Sequence, residues 1–123
     1  MKTEAAREFE TLLQEAVRQV QMDPSADQVI VVKTAKANTY HFANHRPGES
    51  CEDEDRFVEM LSSQRDAEIR YLVCMWNNYG IEIPSMNFRK KLLAACGKNA
   101  EADILLQAEH GLIARKLIWS MPG

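Results

Sequence analysis

Residues Trp76 to Leu93 read WNNYGIEIPSMNFRKKLL, and the order of signals around this one segment constrains the architecture. Leading into it, Ile69, Tyr71, Leu72, Val73, Met75 and Trp76 form a nearly continuous apolar run. Such a run marks a central strand buried on both faces. Asn77-Asn78-Tyr79-Gly80 interrupts it as a loop. Pro84-Ser85 then opens a helix expected from Met86 to Ala95, with Ser85 as its N-cap and Gly97 as its stop.

Working towards the N-terminus, a second helix is expected through Phe57, Val58, Met60 and Leu61, fading at Ser62-Ser63. Ser50 ahead of Asp53 resembles a capping box, and Glu52, Asp53, Glu54 and Asp55 suit the positive end of the helix dipole as a solvated first turn. Val29-Ile30-Val31-Val32 reads as a buried strand. Lys36-Ala37-Asn38 turns the chain, and Thr39 to Phe42 returns antiparallel. At the start, Ala5, Ala6, Phe9, Leu12, Leu13, Ala16, Val17 and Val20 recur at three- and four-residue steps, one apolar stripe on a helix that Met22-Asp23-Pro24 ends. Towards the C-terminus, Ile104-Leu105-Leu106 is a fourth strand, His110-Gly111 a turn, and Leu112-Ile113 the start of a fifth strand or short returning segment. Helices alternating with buried strands imply a layered α/β fold, here a three-layer α/β/α sandwich on a mixed five-stranded sheet, as a single domain over residues 1–123.

The composition bounds the function. The 123 residues carry 15 Lys+Arg against 18 Asp+Glu, a formal charge of −3. That balance argues against nucleic acid as a partner, because duplex binders present a net basic face. No apolar run approaches the roughly 20 residues needed to cross a bilayer, and the N-terminus has no apolar signal core. A cytoplasmic protein is expected. Cys51, Cys74 and Cys96, an odd set without regular spacing, read as free thiols.

The element order and the opening segment resemble the cytidine deaminase superfamily, including the cytidine and blasticidin S deaminases. In that family the third strand ends in a polar loop with Gly-Ile, followed by a Pro-Cys-x-x-Cys-Arg helix start and Gln-Val-Leu. Here Pro84, Arg89 and Leu92 match, while Ser85 and Phe88 replace the two cysteines. The family's other metal motif, Cys-Ala-Glu or His-Ala-Glu, meets Cys51-Glu52-Asp53. Cys51 stands at the ligand position and Asp53 at that of the catalytic glutamate. Asn44 matches the asparagine that contacts ribose, although Arg46 stands where the family has an acid and the loop to Cys51 is short. The tail Ser120-Met121-Pro122-Gly123 also fits.

The resemblance implies a zinc ion held by three protein ligands, activating a water that attacks the amine-bearing ring carbon. Only Cys51 of those ligand positions is retained. Ser85 is a poor ligand because its hydroxyl stays protonated near neutral pH, and Phe88 cannot bind metal. Cys96 lies roughly 16 Å down the helix from Ser85 at 1.5 Å per residue, and Cys74 sits in mid-strand as a structural thiol. The first reading is therefore a deaminase-like protein without zinc or hydrolysis, serving as a binder of a nucleoside-like ligand or as an assembly module. The rival is a divergent zinc-dependent nucleoside or aminonucleoside deaminase using Cys51, His45 and a third ligand, with Asp53 catalytic. A generic α/β domain with no inferable role is the remaining alternative.

Candidate ligand contacts are Asn44, His45, Trp76, Asn77 and Phe88, with Tyr79 nearby, at the strand ends where an α/β pocket opens. Phe88 is read as core packing or as a ring for stacking, and His41 and His110 carry no assignment. Ser85 and Arg89 are structural candidates. Arg89 is expected to pair with Asp53 or Glu52, so that this pair, or Phe88 itself, fastens the two helices in zinc's place. The resemblance also implies a homo-oligomer, dimer or tetramer.

Overall fold

The computed structural model describes residues 3–122. Met1, Lys2 and Gly123, the last of them part of the tail quoted above, lie outside the described residues. The elements run α1 (Thr3–Met22), β1 (Gln28–Thr34), β2 (Thr39–Asn44), α2 (Glu52–Ser63), β3 (Ile69–Trp76), α3 (Met86–Ala95), a 3-10 helix at Gly97–Glu101, β4 (Asp103–Ala108), β5 (Gly111–Lys116) and a 3-10 helix at Leu117–Ser120. The sheet has five strands in the order β2-β1-β3-β4-β5. Only β3 and β4 run parallel; the other neighbours are antiparallel. This is the mixed three-layer sandwich expected from the sequence.

The two periodicities of the chain build the layers. In β1, Val29 and Val31 face α1 while Ile30 and Val32 face α2 and α3, since successive strand side chains point to opposite faces. The α1 stripe of Phe9, Leu12, Ala16 and Val20 packs on the first face with Val73, Met75 and Leu105. Phe57, Leu61, Phe88 and Leu92 cover the second face with Leu72, Cys74 and Ile104. A strand that feeds two cores must be apolar throughout, which is why β1 and β3 read as continuous runs.

α3 spans Met86–Ala95 as expected, but the devices expected at two helix ends differ. Ser50 does not cap α2: Cys51 takes the N-cap position and makes no side-chain cap bond, and the Asp53 side chain turns to His45 instead of back to Ser50. Gly97 does not stop α3 through a left-handed conformation, since the positive-φ glycines among the described residues are Gly48 and Gly111. The stop is Asn99. Its buried side chain donates to Leu92 O and Ala67 O, each at 2.8 Å, and accepts from Ile69 N at 2.6 Å. One amide thus joins the end of α3 to the start of β3. Asn99→Ala leaves Ile69 N without that acceptor and takes one of two donors from Leu92 O, which also accepts from Cys96 N, at a cost of about 1–3 kcal/mol. Urea denaturation is expected to show that loss as a lower midpoint with an unchanged slope.

Candidate functional site

The N-termini of α2 and α3 meet over the C-terminal end of β2. Their meeting follows from the buried stripe of α2, which is Glu54, Phe57, Val58 and Leu61. That spacing is the i, i+3, i+4, i+7 pattern of a core-facing helix, with a carboxylate at its first position. Glu54 is 0% exposed, so the solvated first turn expected of the acidic run does not extend to it.

Three side chains satisfy that carboxylate. Asn44 Nδ2 donates to Oε2 at 2.8 Å. Ser85 Oγ lies 2.8 and 2.7 Å from Oε1 and Oε2, sharing its single proton between them. Asn87 Nδ2 donates to Oε1 at 3.0 Å and reaches Asp55 at 3.3 Å. Ser85 has a second role, accepting from Phe88 N at 3.2 Å as the N-cap of α3. Asn44 also donates to Gln28 Oε1 at 3.3 Å, while its own Oδ1 is buried without a partner.

An aromatic group lies against this polar node. Phe42 stacks on Phe57 with centroids 4.4 Å apart, and Phe88 tilts against both at 5.5 and 6.1 Å. Phe88 is 0% exposed. Its ring is core packing and presents no face to a ligand.

The other candidates fall around this junction. Asn44 and Trp76 both pair with Gln28 in the sheet, so they occupy one row on either side of β1. Asn44 is sealed in, whereas Trp76 is half-buried and donates its indole N–H to Glu82. Asn77 and Tyr79 are exposed in the following loop, and Asn77 N donates to Asp27 O at 3.0 Å. Cys51 is a free, half-buried thiol. It lies one turn before Glu54, the α2 residue that faces Ser85. Cys74 is fully buried, and burial, with smaller contributions from the charges of Glu82 and Glu54, pushes its thiol far up and out of reach of neutral pH.

Arg89 does not pair with Asp53 or Glu52. It is 6% exposed, and its guanidinium donates to backbone carbonyls: Pro84 O at 3.0 Å, Ser85 O at 3.4 Å and Ser120 O at 2.6 Å. It therefore fastens the C-terminal 3-10 helix to α3. Burial pulls its pKa down from the usual guanidinium value.

His45 and Asp53 instead find each other. Asp53 Oδ2 accepts from His45 N at 2.9 Å and lies 3.1 Å from His45 Nδ1, with Arg56 3.8 Å from Oδ1. Burial raises the Asp53 pKa, but the two hydrogen bonds from His45 and the charges of His45 and Arg56 together outweigh it and hold the carboxyl below its ordinary value.

Whether these residues suit a zinc ion is a matter of donor chemistry. A zinc site wants thiolate, imidazole or carboxylate ligands converging in a tetrahedron. The α3 positions offer a hydroxyl and a phenyl ring, and the start of α2 offers the single Cys51 thiol and a carboxylate already engaged by three donors. No group of three His, Cys, Asp or Glu that could hold a metal ion occurs among the described residues. The residues present do not fit the metal. Glu54, Asn87 and Gln28 were not among the sequence candidates. The signal for Glu54 was its place on the stripe with Phe57, Val58 and Leu61, masked by three neighbouring acids.

No protein-family model matches the sequence, and neither does any curated protein. Solved structures do match. A crystal structure of cytidine deaminase from Mycobacterium leprae aligns at TM-score 0.65 and 14% identity, over 94% of this chain and 98% of that one. A mutant cytidine deaminase from Mycobacterium tuberculosis aligns at TM-score 0.65 and 17% identity, over 93% and 94%. At these identities the likeness is one of fold, and this chain has the cytidine deaminase fold. No helix among the described residues is long and apolar enough to cross a membrane.

The Asp53 latch has a pH signature. A carboxyl held below its unfolded value adds stability above that value and loses it as pH falls through the folded pKa. Asp53→Asn is expected to be less stable than the parent at pH 7, with the gap closing as pH drops below about 4. Urea midpoints measured across that range check it.

Proposed function

We propose that this chain uses the cytidine deaminase fold as a non-hydrolytic module rather than as a zinc enzyme. One observation carries the reading. The junction of α2, α3 and β2 is filled by the Glu54–Ser85 contact and the Phe88 ring, where hydrolytic deamination would need an accessible metal-bound water. Asp53 is also poorly suited to a proton relay. Its depressed pKa makes it a weak base near neutral pH, and its Oδ2 is tied to His45.

The remaining surface suits binding more than chemistry. His45, Asn77 and Tyr79 form an exposed polar rim at the sheet end, the position from which a nucleoside-like ring would be contacted. Ile118 at 47% and Trp119 at 78% exposure give the 3-10 helix an apolar surface suited to assembly with a second copy of the chain. Zinc-dependent deamination of a nucleoside or aminonucleoside is the second reading, and the fold alone favours it.

Elemental analysis of the purified protein separates the two. Zinc far below one per chain, together with no ammonia release from cytidine or adenosine, is the expected result. Stoichiometric zinc with turnover would overturn the proposal.

A further inference from the structure

We propose that the Glu54 carboxylate is a metal-free fastening that takes over the structural work of a metal ion at the junction of β2, α2 and α3. The proposal rests on the non-hydrolytic reading for its setting and on three observations for its substance.

The first is convergence. Donors reach one carboxylate from the end of β2 (Asn44), the N-cap of α3 (Ser85) and its first turn (Asn87). The carboxylate itself comes from the first turn of α2. A metal ion fastens secondary elements by drawing several ligands onto one centre. Here the polarity is reversed, with an anion at the centre and N–H and O–H groups around it.

The second is placement. Ser85 stands at a position that matches a zinc cysteine in the resemblance, and the α2 side chain facing it is Glu54 rather than Cys51. The fastening therefore sits at the metal's position on α3 and is met from α2 one turn further along. Phe88, at the other cysteine position, is packed against Phe42 and Phe57, and these rings bridge the same three elements.

The third is the nature of the acceptor. A fully buried carboxylate leaves water at a large desolvation cost and persists only where donors compensate it. Each partner is a neutral donor, and both helices direct their N-termini at the site, which favours negative charge there. Asn44 is oriented by two acceptors, Glu54 and Gln28, so the fastening extends to a fourth element, β1.

The test is a double-mutant cycle on the full chain, with stability read by urea denaturation and local opening by amide hydrogen exchange. Glu54→Gln turns one carboxylate oxygen into an NH2 group that meets donors. The folding equilibrium constant is expected to fall about ten- to a hundredfold. Ser85→Ala and Asn87→Ala, each removing one donor, are milder variants that keep the cycle readable if the Glu54→Gln chain unfolds. Strong coupling between positions 54 and 85, with faster exchange in the first turns of both α2 and α3, is the supporting result. Additive effects, or exchange changed in α2 alone, would overturn the fastening. A chelator arm keeps the two proposals apart. An unfolding midpoint unmoved by EDTA supports a metal-free junction. A midpoint that drops in EDTA while stoichiometric zinc is released rejects the fastening, and turnover by that zinc-loaded chain rejects the non-hydrolytic reading as well, whereas additive effects without zinc reject only the fastening.

Discussion

A carboxylate removed from water dictates the arrangement around it. Glu54 is fully buried, and an uncompensated charge in such a place costs several kcal/mol after relaxation. The compensation comes from residues that are far apart in sequence and close only when β2, α2 and α3 are correctly assembled. The hydrogen bonds therefore act as a test of registry. Rotation of α2 by one residue would swing the whole stripe of Glu54, Phe57, Val58 and Leu61 away from the core, breaking the polar node and the aromatic contacts together.

Other buried polar residues obey the same rule. Gln28 and Asn44 are buried because they extend the node into the sheet. Arg89 and Asn99 satisfy backbone groups near opposite ends of α3. Asp66 accepts from Asn38 Nδ2 and Tyr40 OH, each at 2.8 Å, under the β1–β2 hairpin. Each joins segments that are distant along the chain and relieves a desolvation cost at the same time. The hydrophobic layers set where the elements lie, and these polar residues restrict how they are offset.

The fold was legible in the sequence because it is written in periodicities. The three- and four-residue steps of α1 and the apolar runs of β1 and β3 each have one sensible reading, and the structure bears out the element order and the mixed sheet. The site was far less legible. Glu54 carries the same carboxylate group as Glu52, Asp53 and Asp55 beside it, and its phase on the helix is what buries it. Arg89 was expected to seek a carboxylate, but it found carbonyl groups, which every residue carries and no sequence pattern marks. The pairing of His45 with Asp53 depends on the path of the intervening loop, including the positive φ of 51° at Arg46, and a loop path has no periodicity to read.

The residues at positions 85 and 88 are linked through one junction, because Ser85 caps the helix turn that carries Phe88. Placing cysteine at both would take a ring out of the Phe42–Phe57–Phe88 group, where large-to-small changes at buried aromatics cost about 3–5 kcal/mol. It would also deprive Glu54 of the Ser85 donor while leaving a carboxylate, not Cys51, as the α2 group in contact. Glu54 would then keep only the Asn44 and Asn87 donors, beside a new cavity. Such a double variant loses the Ser85 hydrogen bonds and the aromatic packing together. The hydroxyl joins the other two, because Ser85 both donates to the Glu54 carboxylate and accepts from the backbone N–H of Phe88.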